Sequence, residues 1–296
     1  MKIRAITSVV IIISIVPLIL FSHYFIYPII LAALGVTAVY ELLKVIGVSK
    51  KIGLTLPAYL FAAAFPVIPF FTDREFTKEI ALLSGEDSIK NILLLLAGAL
   101  LVYLFYLMGA AVFSKGKVPF SKIAEIFTTV TYVVVSFTSL SIIRYFDKSL
   151  VGMLQLGLVF IVAWICDVFA YLVGSLFGKH KLIPEVSPKK TVEGSIGGIV
   201  FAAFAYLLYG FIVDKVVDTI DVNYLFLGIF GTLLSVVSQI GDLIASLIKR
   251  EYGVKDYGKL FPGHGGVMDR FDSVLAVSSI LLILCLMWPP FTTVII

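Results

Sequence analysis

A 27-residue segment, Ser246 to Asp272, concentrates side chains suited to binding phosphate groups and a divalent cation. Its basic residues are Lys249, Arg250, Lys255, Lys259 and Arg270. Such cations pair with phosphate oxygens. Its aspartates are Asp256, Asp269 and Asp272. Because carboxylates are preferred ligands of hard divalent ions, the segment predicts metal-assisted chemistry on a polyanionic substrate.

The middle of this segment reads Pro-Gly-His-Gly-Gly over residues 262–266. Glycine tolerates positive φ and lets a backbone approach a ligand closely. Consecutive N–H groups in such a loop can cradle a phosphate, so Gly265 and Gly266 are predicted to bind one. His264 is predicted to belong to the site because it lies between phosphate-type residues; the alternative is a histidine that bonds the loop backbone.

Two aspartates, Asp167 and Asp242, interrupt apolar runs where a membrane interior would make a carboxylate costly. Asp242 lies in a series with helical spacing. The series is Ser235, Ser238, Gln239, Asp242, Ser246, Lys249 and Arg250. Residues three and four apart share a helix face, so they form one polar stripe that needs water, an ion or protein opposite it.

Asp167 is followed at the same spacing by Tyr171 and Ser175, although a single intramembrane aspartate can also be a structural hydrogen-bonding residue. Asp269 and Asp272 are placed on one face at the start of the last apolar run. We expect Asp167, Asp242, Asp269 and Asp272 to converge on a divalent cation, with Asp256 as a further candidate ligand.

The elements that position these residues are predicted to be membrane-spanning helices. The 296-residue chain is 60% hydrophobic and only 14% charged, which a water-soluble fold does not accommodate. The predicted fold class is all-α, a polytopic transmembrane helical bundle. Nine apolar stretches have the length of a span. They are 5–22, 24–43, 54–72, 92–113, 126–143, 151–177, 195–213, 224–244 and 272–289.

The basic residues favour an orientation with the N-terminus inside and the C-terminus outside. With that orientation, seventeen of the 23 Lys and Arg residues fall on the inner side. The other six are Arg74, Lys78, Lys90, Arg144, Lys148 and Lys215. The two longest inner loops, 178–194 and 245–271, then both lie in the second half of the chain.

We therefore divide the chain into residues 1–145, a set of transmembrane spans, and residues 146–296, a catalytic transmembrane region that carries the signature loop 245–272. The first region either holds the fold together, forms a lipid groove or makes the subunit contact of a homodimer. Cys166 and Cys285 lie in apolar runs and are interpreted as small buried hydrophobes.

The segment from Ser246 to Asp272 resembles the signature of the phosphatidate cytidylyltransferase (CDP-diacylglycerol synthase) family. The matching positions are Ser246, Lys249, Arg250, Lys255, Asp256, Gly258, Pro262, His264, Gly265, Gly266, Asp269, Arg270 and Asp272. Residues 167–174 and 187–194 also resemble family motifs. The resemblance implies a membrane nucleotidyltransferase that converts phosphatidic acid and CTP to CDP-diacylglycerol and pyrophosphate with Mg²⁺ or another divalent cation.

The resemblance also implies roles for the residues and a location in the cytoplasmic membrane, with the site facing the cytosol and no nucleic-acid partner. The expected metal ligands are Asp242 and Asp269, then Asp167, Asp256 and Asp272. The expected phosphate-binding residues are Lys189, Lys190, Lys249, Arg250, Lys255 and Arg270. Two alternatives stay open: a CTP-dependent kinase of a polyprenol-type lipid, and a secondary transporter, which internal repeats would support.

Overall fold

The computed structural model describes residues 16–71, 88–115, 117–146, 150–263 and 265–293. Within them, eight helices are long and apolar enough to cross a membrane. They correspond to the second to ninth predicted spans, so the prediction of an all-α polytopic membrane bundle is confirmed. The first predicted span, 5–22, lies largely outside the described residues; its residues 16–20 are helical.

The secondary structure is helical apart from two small sheets in the described residues. The helices are α1 (Ile26–Val45), α2 (Ile52–Ala64), α3 (Ser88–Phe113), α4 (Phe120–Phe146), α5 (Leu150–Phe177), α6 (Val192–Val216), α7 (Tyr224–Glu251) and α8 (Met268–Met287), with a 3-10 turn at Ile68–Phe71. The strands are β1 (Lys181–Ile183), β2 (Ser187–Thr191), β3 (Ile220–Val222) and β4 (Phe291–Thr293). β1 pairs with β2 and β3 with β4, both antiparallel.

The chain forms two compact units, and the first comprises residues 1–146 together with 256–268. In this unit α1 packs against α2 and α4, and α3 packs against α4. Gly35 lets α1 approach the backbone of α2, because a Cβ there would lie 3.2 Å from the Ala62 carbonyl oxygen. The Tyr103 hydroxyl donates to the Leu54 carbonyl across 3.1 Å, which joins α3 to α2.

The second unit comprises residues 147–255 and 269–296. Here α6 packs along both α5 and α7. Both α6 and α7 begin at side-chain caps: Thr191 accepts from the Gly194 amide and Asn223 from the Phe226 amide, each at 3.1 Å. Such caps satisfy N–H groups that have no partner within the helix, so they fix where each helix starts.

Glycines bring the helices of the second unit into close backbone contact. A Cβ at Gly194 of α6 would lie 3.0 Å from the Gly174 Cα of α5, and one at Gly231 of α7 would lie 2.8 Å from the Ala203 Cα of α6. Small residues permit such approaches in membranes, where packing drives helix association.

Large apolar side chains cover the outward face of α6. Ile196, Val200 and Phe204 are each more than half exposed and recur every four residues. Because this spacing places them on one face, α6 presents a continuous apolar stripe of the kind that contacts lipid.

Two segments interpreted as loops are regular structure. α7 continues to Glu251, seven residues beyond the predicted end of its span, so Ser246, Lys249 and Arg250 are helical. Their helical spacing with Asp242 predicted this, although they also fall in the predicted inner loop 245–271. The predicted loop 178–194 contains the β1–β2 hairpin and the start of α6.

Candidate functional site

A cavity of about 300 Å³ opens in the second unit beside the β1–β2 hairpin. Its polar lining is Asp167, Tyr171, Ser175, Lys189, Lys190, Thr191, Ser195, Gln239 and Asp242. The side chains of α5 in this list are the three that helical spacing placed on one face. The cavity therefore gathers residues from five separate elements, because Leu182 of β1 lines it beside residues of α5, β2, α6 and α7.

Lys190 and Asp242, which both line the cavity, form an ion pair. The Lys190 ammonium lies 2.6 Å from an Asp242 carboxylate oxygen, and both side chains are about a quarter exposed. Lys190 is held by the element that carries it, since β2 runs into the Thr191 cap of α6. The start of the hairpin is tied to the same helix end, because Glu193 accepts from the backbone N–H of His180 and pairs with its ring at 2.6 Å.

A second ion pair joins α7 to α8. The Lys249 ammonium lies 2.9 Å from an Asp269 carboxylate oxygen, and the Asp269 side chain is 2% exposed. A buried carboxylate with a nearby cation keeps its charge at far lower cost than an isolated one. This pair therefore makes the first turn of α8 a fixed, charged part of the site.

The helices that carry Asp242 and Asp272 touch directly. A Cβ at Gly241 would lie 3.0 Å from the Asp272 carbonyl oxygen and 3.6 Å from the Ser273 Cα. Arg270 follows Asp269 on α8, so this part of the second unit combines acidic with basic residues, which a cation and two polyanionic substrates require.

The described residues contain no group of three or more His, Cys, Asp or Glu side chains close enough to hold a metal ion jointly. Two of the four aspartates predicted to converge have basic partners: Asp242 pairs with Lys190, and Asp269 pairs with Lys249. Ionised carboxylates repel one another, so an ammonium group beside each is the favourable arrangement within the chain.

The chemistry of the donors nevertheless fits a hard cation beside Asp242 and Asp272. The hydroxyl oxygens of Ser238 and Ser273 are buried and have no hydrogen-bond partner among the described residues. Ser238 precedes Asp242 by one helical turn, and Ser273 follows Asp272. Because Mg²⁺ prefers oxygen ligands, these carboxylates and hydroxyls are a suitable donor set.

The cavity wall opposite Asp167 is an interhelical hydrogen-bond network. The Ser195 hydroxyl donates to the Gln239 side-chain oxygen at 2.5 Å, and the Gln239 amide donates to the Ser195 carbonyl at 3.3 Å. Sequence reasoning placed Gln239 in the polar stripe but missed Ser195. The signal was there: Ser195 is a polar residue at the mouth of an apolar span, one residue beyond the family-like motif 187–194.

The remaining predicted phosphate-binding residues of the second unit lie at its surface. Arg250 donates from Nε to the Val186 carbonyl at 3.3 Å, which connects the end of α7 to the hairpin. Lys189, Lys255 and Arg270 are exposed. Their charges are therefore accessible to a ligand in solution.

The segment 256–268 packs within the first unit, and it includes three of the predicted site residues that the structure describes. Asp256 is exposed. Gly265 has φ +83°, a conformation that glycine tolerates, and forms a bridge with Phe261. Gly266 is buried. His264 lies outside the described residues.

Sequence reasoning also missed an acid in α1. Glu41 is only 4% exposed and accepts hydrogen bonds from the backbone N–H groups of Val267 and Met268. The available signal was its position near the end of an apolar span, where an acid needs a specific partner.

Comparisons with known proteins identify the family and several relatives of this chain. The profile of the Cytidylyltransferase family matches residues 2–288. The phosphatidate cytidylyltransferase of Staphylococcus saprophyticus is 33% identical over 261 residues, covering 84% of this chain and 96% of that protein. The phosphatidate cytidylyltransferase of Bacillus subtilis is 35% identical over 256 residues, covering 85% of each. That of Staphylococcus haemolyticus is 37% identical over 201 residues, 68% of this chain and 72% of that protein.

A family match over nearly the whole chain favours neither a lipid kinase nor a transporter. It agrees instead with the resemblance carried by residues 246–272, and the apolar helices make the protein an integral membrane protein. The chain belongs to the Cytidylyltransferase family.

Proposed function

We propose that this chain transfers the cytidylyl group of CTP to phosphatidic acid and releases pyrophosphate. A phosphate oxygen of phosphatidic acid attacks the α-phosphorus of CTP as the bond to the β-phosphate oxygen breaks. The products are CDP-diacylglycerol and pyrophosphate. The observation that carries this proposal is the cavity with the Lys190–Asp242 pair at its wall, in a chain similar to enzymes named for this reaction.

The chain's own residues supply positioning and charge. Lys189 and Lys190 line the cavity and are suited to triphosphate or lipid phosphate oxygens. The attacking phosphomonoester is largely ionised at neutral pH, so the reaction needs no protein base to activate it. Holding two polyanions in line and neutralising their charge accounts for most of the catalysis in phosphoryl-type transfers.

A divalent cation, which we propose is Mg²⁺, would be held by the oxygens of Asp242 and Asp272, with Ser238 and Ser273 nearby. When bound, it would neutralise charge on the triphosphate. Asp167 lines the cavity of the same unit, and Lys249 holds Asp269 in place through their ion pair.

The site is proposed to face the cytosol from the cytoplasmic membrane. The excess of basic residues in the inner segments supports this orientation, and CTP is a cytosolic nucleotide. One substrate is dissolved in the bilayer, so a cavity at the membrane edge suits both.

A labelling assay on purified protein in detergent tests the proposal. With phosphatidic acid, Mg²⁺ and CTP labelled at the α-phosphate, the label should move into a chloroform-soluble lipid. A lipid kinase would leave it in a soluble nucleotide, and a transporter would leave CTP unchanged. If the folded protein moves no label into the lipid, the proposed function is overturned.

A further inference from the structure

The carboxylate of Glu41 makes an unusual contact for an acid in a membrane helix. Glu41 lies four residues before the end of α1, and Glu41 and Lys44 are the charged residues of that helix. One carboxylate oxygen accepts from the Val267 N–H and the other from the Met268 N–H, each at 3.0 Å. The acid thus binds two consecutive backbone amides, and all three residues are buried.

These two amides stand at the beginning of α8, which starts at Met268. The first N–H groups of a helix have no intrahelical acceptor, and the helix dipole makes them a favourable site for a negative charge. Glu41 therefore caps α8 from another helix. The acid does at this end what Thr191 and Asn223 do locally for α6 and α7.

Two glycines of the segment 256–268 leave the space that this carboxylate occupies. A Cβ at either Gly258 or Gly266 would overlap the carboxylate of Glu41. Neither glycine has a positive φ, so the requirement at these positions is for space. The carboxylate of Glu41 therefore lies against the backbone of the segment at Gly258 and Gly266 as well as at the Val267 and Met268 amides.

Met268 is followed directly by Asp269, whose buried carboxylate pairs with Lys249. The residue that Glu41 holds thus leads into the first turn of α8, which contains Asp269. Asp272 follows three residues after Asp269. A shift of the Met268 amide moves the start of that turn.

We infer that Glu41 is a positioning residue for the cytidylyl transfer, acting through the backbone amides of Val267 and Met268 on the start of α8, which carries Asp269 and then Asp272. This inference rests on the proposed function. It deepens that proposal by adding a residue of the first unit that touches neither substrate. Its effect comes from geometry, because a displacement of about 1 Å in a catalytic group can cost up to ~10²-fold in rate.

The test compares Glu41→Gln and Glu41→Asp with the control Glu125→Gln. Glutamine keeps the size of the side chain but accepts through one oxygen only, and its NH₂ group would face the second N–H. Glu125 is another acid of the first unit; it pairs with Lys122 at 2.6 Å on α4. Purified variants in detergent are assayed with phosphatidic acid, CTP and Mg²⁺, per amount of folded protein.

We expect Glu41→Gln to lower kcat at least ~10-fold while the KM for CTP changes less than about threefold. Glu41→Asp keeps the charge and should recover part of the rate; Glu125→Gln should match the wild type. Hydrogen–deuterium exchange should accelerate in residues 256–268 of Glu41→Gln and not of Glu125→Gln. A normal kcat in folded Glu41→Gln overturns the inference, and so does a lowered kcat without faster exchange.

A double-mutant cycle covers the case in which Glu41→Gln folds poorly. Gly258→Ala should lower kcat when Glu41 is present, because its methyl group would overlap the carboxylate. In a Glu41→Ala background the same change should lower kcat by a much smaller factor. If Gly258→Ala lowers kcat by the same factor in both backgrounds, the inference is overturned. If the wild type itself moves no cytidylyl group into lipid, the proposed function fails and the positioning role falls with it, while the exchange data still decide whether Glu41 holds these amides.

Discussion

The ammonium group of Lys190 lies 2.6 Å from the carboxylate of Asp242, at the wall of a cavity lined from five elements. The pair brings a strand of the β1–β2 hairpin to the polar face of α7. It unites the two chemical groups that nucleotidyl transfer needs most, a cation for phosphate oxygens and a carboxylate for a metal ion.

Asp242→Asn should lower turnover at least ~10²-fold, as loss of a key electrostatic stabiliser does, with the protein still folded. Asparagine keeps the shape and removes the charge. The measurement is kcat for CTP beside the thermal midpoint in detergent, on one preparation. Turnover near that of the wild type would remove Asp242 from the site.

Lys255→Ala should raise the KM for CTP as well as lower turnover, because an exposed lysine that holds phosphate acts in both the ground state and the transition state. The matched control is Lys259→Ala, another exposed lysine of the same stretch. Steady-state kinetics at varied CTP concentrations give both constants. Equal KM values in the two variants would contradict a specific role for Lys255.

Chelation of divalent cations should abolish activity, and added Mg²⁺ should restore it. The reason is the oxygen-donor set at Asp242, Asp272, Ser238 and Ser273, which suits a hard cation. The assay is label transfer from CTP in excess EDTA, followed by titration with Mg²⁺. Full turnover in EDTA would refute a catalytic metal.

Lys249→Met should destabilise the protein more than the double change Lys249→Met with Asp269→Asn. The single change removes the ammonium beside a carboxylate whose side chain is 2% exposed, and breaking such a pair costs ~3 kcal/mol or more. Thermal midpoints in detergent compare the two. A double variant as unstable as the single one would mean that the charge of Asp269 does not depend on Lys249.

Single cysteines at Lys255 or Lys259 should resist membrane-impermeant thiol reagents applied to intact cells, because both positions are predicted to face the cytosol. The native Cys166 and Cys285 are free and buried, so their background labelling is expected to be low. A cysteine at the exposed Asp218, in a predicted outer loop, is the positive control. Rapid labelling at Lys255 would reverse the orientation and remove the argument that CTP reaches the site.

The polar face of α7 could be predicted from sequence because two local rules coincide there. Helical spacing aligned Ser238, Gln239 and Asp242, and the cost of a charge in lipid required something polar opposite them. The structure supplies Lys190, Ser195 and the cavity. The same rules aligned Asp167, Tyr171 and Ser175, which line that cavity together.

The partners across the site could not be predicted, because they depend on how separate elements pack. Nothing local pairs Lys190 with Asp242 or Lys249 with Asp269. The β1–β2 hairpin could not be predicted either, because a three-residue strand is too short to show an alternating pattern. Glu41 was overlooked for a related reason: its acceptor role becomes visible only with the amides of Val267 and Met268 in place.

The contact between Glu41 and the start of α8 has a consequence for the synthesis of the protein. Its partners are 226 and 227 residues apart in the chain, so it closes one of the longest loops available to this polypeptide. Closure of such long loops is delayed until both ends exist. The first turn of α8 can reach its acceptor only after the 226 residues from Glu41 to Val267 have been synthesised. A nascent chain that has not yet reached α8 therefore contains Glu41 without the backbone amides that it binds.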